Sequence, residues 1–97
     1  MEFEWDENKR RQVKQKHGVD LLYAALIFRG VVLTKRDDRA DYGEERSISL
    51  GMVEDVCFVV VHTNRNEVTR LITAWKGGQL EHDQYQAGIA RRLGENE

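Results

Sequence analysis

The chain has no proline and a single cysteine among its 97 residues. A lone cysteine, Cys57, excludes both a disulfide framework within the chain and a cysteine-built metal centre. With no proline, no internal repeat and no low-complexity tract, nothing reads as a linker, and residues 1–97 are expected to form one domain. Long apolar runs are missing as well. Leu21–Phe28 and Val56–Val61 are too apolar to stay in water, yet both fall far short of the roughly 20 residues a membrane span needs. The opening Met-Glu-Phe-Glu-Trp-Asp-Glu lacks a basic n-region and an apolar h-region, so no secretory signal is read and a cytoplasmic setting is expected. Gly77-Gly78 lacks the Lys-Ser/Thr of a phosphate-cradling loop, and no Gly-x-Ser-x-Gly elbow occurs, which sets aside nucleotide hydrolysis and serine-hydrolase chemistry.

Fifteen Lys and Arg stand against seventeen Asp and Glu, a formal net charge of −2. That balance argues against a general nucleic-acid binder, which is normally basic. The distribution is uneven: Lys9, Arg10, Arg11, Lys14 and Lys16 crowd one segment, while acids gather at Glu2–Glu7 and Asp37–Glu45. Such a basic face is either a solvated helix surface or a contact for a partner met at one side only.

Phe3–Trp5 predicts a short strand, and Asp6 an N-cap for a surface helix, Glu7–Lys16, whose one clear apolar residue is Val13. Gly18 supplies its left-handed stop. Asp20 caps a second helix, Leu21–Phe28, apolar on nearly every side and hence a core helix ended by Gly30. Val31–Lys35 reads as a strand and Asp37–Glu45 as a polar, turn-forming stretch. Arg46–Val53 alternates, with Ile48, Leu50 and Met52 on one side and Ser47, Ser49 and Gly51 on the other. After a turn at Glu54-Asp55, Val56–His62 is apolar on both faces and so central; Thr63–Asn66 turns into a last strand, Glu67–Trp75. Gly77-Gly78 precedes a helix from Gln79 to Leu93 with a docking seam at Tyr85, Ile89 and Leu93. The order predicts an α+β domain: a small antiparallel β-meander preceded by an N-terminal strand and two helices, followed by a C-terminal helix, with the helices packed to one side.

Four segments carry a family likeness. Phe-Glu-Trp-Asp-Glu-Asn-Lys (3–9), Lys16-His17-Gly18-Val19, Asp41-Tyr42-Gly43-Glu44-Glu45-Arg46 and Arg70-Leu71-Ile72-Thr73-Ala74 resemble the BrnT toxin family, in order and with near-native spacing, over about Phe3 to Tyr85. The resemblance implies a RelE-like fold and the toxin of a type II toxin–antitoxin pair: a ribonuclease that cuts RNA in the cytoplasm without metal or other cofactor and inhibits translation, free or on the ribosome. It also implies a BrnA-type ribbon-helix-helix antitoxin as partner, in a heterotetramer of two toxins and two antitoxins. Promoter DNA would be reached only through that antitoxin, and no membrane is involved.

The family pattern after the last strand reads Ile-Ser-Ala-Arg, an arginine-rich stretch, then Glu and, four residues on, Tyr. Here Ile72, Thr73 and Ala74 follow it, Trp75 replaces the arginine, Lys76 is kept, Gln79 and Leu80 replace arginines, and Glu81 and Tyr85 are in place.

RNA cleavage by 2′-OH attack needs a base for that hydroxyl, cations around the developing phosphorane and an acid for the leaving 5′-oxygen. Aromatic rings commonly hold the unstacked bases. The catalytic candidates are Glu81 as base, Arg46, Arg70 and Lys76 as charge stabilisers, His17 as base or acid, and Tyr85 as acid or stacking residue; Lys14, Lys16 and Trp75 are candidates for RNA binding. Each has a bland alternative. Arg70 could pair with an acid, Arg46 lie in water, Glu81 favour a helix dipole, Tyr85 pack in the core and His17 cap helix carbonyls. His62 reads as a hydrogen-bonded strand-end residue and Cys57 as core filler. The histidines are too scattered for metal-ligand spacing. Three functions compete: an endoribonuclease toxin, a catalytically weakened antitoxin-binding module acting in promoter autoregulation only through its antitoxin, and an RNA- or ribosome-binding protein using the Lys9–Lys16 face.

Overall fold

The computed structural model describes residues 1–95. The elements are β1 (Glu2–Glu4), α1 (Glu7–His17), α2 (Leu21–Ala24) running into a 3-10 segment (Ala25–Arg29), β2 (Leu33–Arg36), β3 (Ser47–Val53), β4 (Val56–Arg65), β5 (Val68–Lys76) and α3 (Gln79–Glu95). They form the α+β arrangement read from the sequence, with five strands in the order β1-β5-β4-β3-β2. The meander β2–β5 is antiparallel, but β1 joins its edge parallel to β5, so the sheet is mixed rather than wholly antiparallel.

Local chemistry sets the helix ends. The Asp6 carboxylate accepts from the backbone N–H groups of Asn8 and Lys9, and Gly18, at φ 69°, ends α1 by donating its N–H to the Lys14 carbonyl. Asp20 accepts from the Leu22 N–H to start α2. The expected single helix Leu21–Phe28 instead tightens after one turn into the 3-10 segment. Burial explains the tightening: Leu21, Ala24 and Ile27, three residues apart, are all 0 % exposed, and a three-residue period keeps them in one row against the sheet. Strand bounds also shift. β4 runs on to Arg65 instead of turning at Thr63, and the reversal narrows to Asn66-Glu67, with Asn66 at φ 56°.

β4 is central and buried on both faces from Cys57 to Thr63. On the first face Phe58 and Val60 join Val53, Leu71 and Ala74 beneath α2 and the 3-10 segment. Ser49 and Gly51, the small side of β3, lie here too, because that is where the layer above comes closest. A Cβ at Gly51 would lie 2.6 Å from the Ile27 Cβ. On the second face Ile48, Val59 and Val61 gather with Leu50, Ile72 and Trp75. A bulge leaves Ile72 unpaired between Leu71, opposite His62, and Thr73, opposite Val61, and lets Ile72 join the second face.

The helices are not all on one side, contrary to the expectation. α3 packs beside β2 and β3 on the second face, where Gly88 abuts Leu33 and the buried Tyr85 donates its hydroxyl to the Val31 carbonyl at 2.7 Å. The reason is β4 itself: a strand apolar on both faces needs cover on both. The predicted seam stops a turn early, since Ile89 is half-buried and Leu93 exposed. No helix among the described residues is long and apolar enough to cross a membrane.

Replacing Gly51 with Ala should lower the unfolding free energy by about 1–3 kcal/mol through overpacking against Ile27. Urea denaturation measures the change.

Candidate functional site

β1 ends at Glu4, opposite Arg70, so the edge of β5 beyond that point has no strand beside it. The chain fills the gap with α1, which packs along β5 with Val13 as its buried anchor. Lys9 and Lys16, two helical turns apart, share one side of α1. With His17 they form one wall of a cleft of about 700 Å³; Thr73, Trp75 and Lys76 of β5 and Arg39 from the 37–46 loop complete it. The His17 and Trp75 rings lie 6.1 Å apart, and the Arg39 guanidinium carbon sits 5.4 Å from the indole centroid.

Four cationic side chains thus line one opening, and among the described residues no carboxylate does. Among the described residues, Lys9, Lys16 and Lys76 take part in no ion pair. Arg39 is paired. Its Nε and Nη2 each donate at 2.8 Å to the two carboxylate oxygens of Asp37, whose side chain is 0 % exposed. The guanidinium pulls the Asp37 carboxyl down to about 2. Asp37 also donates its backbone N–H to the Arg46 carbonyl at 2.7 Å, extending the β2–β3 ladder into the loop. The stretch read as polar and turn-forming therefore holds a buried anchor. Downstream, the Arg46 guanidinium lies 4.1 Å above the Tyr42 ring and pairs with Glu44, which also pairs with Arg65. Thr63 donates its hydroxyl to the Glu45 carbonyl.

Of the sequence-derived candidates, His17, Lys16, Trp75 and Lys76 come together in this cleft. The others sit elsewhere. Arg70 lies toward the start of β5 and pairs with Glu4 at 3.5 Å, because parallel pairing sets the two side by side. Arg46 is held against Tyr42 and Glu44. Glu81 reaches back to accept from the Gly78 N–H at 3.1 Å, the reciprocal half of a helix cap. Tyr85 is buried under α3, and Lys14 faces a separate depression with Glu7, Arg10, Arg11 and Asp20. Sequence reading left Lys9 and Arg39 out of the site. The seven-residue spacing of Lys9 and Lys16 was a usable signal for the first; Arg39 meets Trp75 only through the folded sheet.

Two titratable groups lie outside the cleft. Burial pushes the Cys57 thiol up, leaving it unreactive filler. His62 is hydrogen-bonded as expected, with Nε2 2.8 Å from the Ser49 hydroxyl, but stands inside β4 rather than at its end. Its buried Nδ1 has no hydrogen-bond partner among the described residues, and burial lowers its tendency to take a proton. Among the described residues, no group of three or more His, Cys, Asp or Glu side chains is placed to hold a metal ion.

A family model described as the ribonuclease toxin, BrnT, of type II toxin–antitoxin systems matches residues 5–81. The matched span contains every residue lining the cleft. No curated protein matches the chain.

Acidification should lower stability in two windows. Unfolded histidine takes up a proton near 6.5 while buried His62 resists, so its contribution is full above about pH 6.5 and falls as pH drops below it. Asp37, depressed from 3.8 to about 2, contributes fully above about pH 4, and that contribution is lost between about pH 4 and 2. Urea titrations across pH should show His62→Gln flattening the first window and Asp37→Asn the second.

Proposed function

The chain belongs to the BrnT family of ribonuclease toxins of type II toxin–antitoxin systems, and from that premise we propose that the cleft between α1 and β5 is where it cuts RNA. The observation that carries this reading is the convergence around an indole of one imidazole and three lysines that, among the described residues, take part in no ion pair and meet no carboxylate in the lining. The reading is of a metal-independent endoribonuclease. His17 takes the proton of the ribose 2′-OH as its oxygen attacks the adjacent phosphorus. Lys9, Lys16 and Lys76 offset the charge that builds on the phosphorane, and one of these ammonium groups returns a proton to the departing 5′-oxygen. Trp75 offers a face to an unstacked base. Arg70, only half-exposed on the same sheet and tied to Glu4 by a partly solvated pair of small strength, serves as a flanking phosphate contact.

The family assignment implies an antitoxin. On this reading the partner is a BrnA-type ribbon-helix-helix dimer, which binds two toxins and supplies all contact with promoter DNA. Release of the toxin lets it cut RNA in the cytoplasm and inhibit translation.

One observation favours a second reading, a catalytically weakened module that retains antitoxin pairing. Trp75 stands where the family pattern has an arginine; Gln79 is occupied with Asp83, and Leu80 is 68 % exposed.

His17→Ala should slow cleavage of RNA by the purified, antitoxin-free protein by about 10²–10⁴-fold, the range for losing a general acid–base group. It should also relieve growth arrest on expression; no cleavage by the unaltered protein would favour the weakened module. In the log–log salt dependence of single-stranded RNA binding, the three lysine–phosphate contacts should together contribute a slope of about −2, roughly −0.7 each. Changing any of these lysines to Ala should reduce that slope by roughly 0.7.

A further inference from the structure

The lysines and His17 account for phosphate and proton chemistry, but not for the way Arg39 is held. A fully buried carboxylate is costly unless it is well paired, and here Asp37 pairs with an arginine that is 52 % exposed. The pair is bidentate, and Asp37 Oδ1 also accepts from the Arg39 backbone N–H at 3.2 Å. This anchoring holds the guanidinium carbon over the Trp75 ring, 5.4 Å from its centroid, rather than leaving a mobile charge at the cleft mouth. The pair is close to neutral, so it adds little attraction for phosphate. What it presents is a flat, weakly hydrated surface facing an aromatic ring.

We propose that Arg39, held by Asp37, is a clamp that stacks one unpaired nucleobase of single-stranded RNA against Trp75. The inference rests on the ribonuclease reading of the same cleft. Stacked faces sit about 3.5 Å apart, so a base between guanidinium and indole needs about 7 Å. The present separation is 5.4 Å, so the gap has to open by about 1.6 Å to admit the base, with Arg39 and Asp37 moving together on the loop that carries both and their bonds kept. His17, 6.1 Å from the indole and tilted 44° to it, stands beside the same ring, close to the ribose of a base lodged there. The clamp therefore selects the nucleotide whose 2′-OH meets the imidazole.

The test is equilibrium binding of the full-length, antitoxin-free protein to a short single-stranded 2′-O-methyl RNA. The blocked 2′-oxygen prevents cleavage and separates binding from catalysis. The oligonucleotide is compared with versions carrying one abasic position, moved along its length. Arg39→Lys, which keeps the charge beside Asp37 but removes the flat guanidinium, should weaken binding about 5- to 100-fold, as for loss of a stacked base. That penalty should shrink to less than twofold when the abasic position falls in the clamp. Asp37→Asn should loosen the guanidinium and reduce the difference between intact and abasic oligonucleotides, while the unmasked Arg39 charge steepens the salt slope by up to about 0.7. Trp75→Phe should bind far better than Trp75→Ala. Wild-type affinity in Arg39→Lys, or an Arg39→Lys penalty that no abasic position relieves, would overturn the clamp and leave the nuclease reading standing. Failure of the unaltered protein to bind the oligonucleotide at all would overturn both.

Discussion

β4 is buried on both faces, and a sheet of five strands built around it needs a layer above and a layer below. A chain of this length has little left to build them with. The first layer is complete: α2 and the 3-10 segment lie over Phe58, Val60 and Leu71. The second is shared. α3 covers the β2 and β3 end, and the loop between β2 and β3 contributes Arg39 above Trp75. Neither closes the β5 end, where α1 stands beside the sheet in place of a longer β1. The cleft is the gap that this division of cover leaves.

Charge follows from the same division. Carboxylates near the sheet are already committed: Glu4 to Arg70, Glu44 to Arg46 and Arg65, Asp37 to Arg39, and Glu81 to the start of α3. These acids are thereby kept from the opening, and Lys9, Lys16 and Lys76 face it with no ion-pair partner among the described residues. Net charge was a poor guide to this surface, because it sums over groups that cancel one another locally.

Much of the fold was legible because it depends on neighbours in the chain. Asp6, Gly18 and Asp20 announce helix ends by their own hydrogen-bonding habits, and the two-faced run Val56–Val61 announces a central strand. The tightening of Leu21–Phe28 was not legible, since it depends on a row of contacts with β3. The parallel pairing of β1 was not, since three residues carry too little pattern to give a direction. The site divides in the same way. His17, Lys16, Trp75 and Lys76, singled out from motif and position, line one cleft, whereas Glu81 and Tyr85 fit the family pattern and are held in capping and packing here. Arg39 could not be found locally, because its partner lies thirty-six positions away and meets it only across the sheet.

The central claim is that RNA enters between α1 and β5 and reaches Trp75. The protein holds a built-in control in Trp5, whose indole N–H is bonded to Glu7 and which does not line the cleft. A two-dimensional NMR titration with non-cleavable single-stranded RNA follows both indole N–H signals and the His17 ring together. The account predicts that Trp75 and His17 shift in concert at one affinity while Trp5 stays in place. Movement of Trp5 or of the Lys14 face, with Trp75 unchanged, would contradict it.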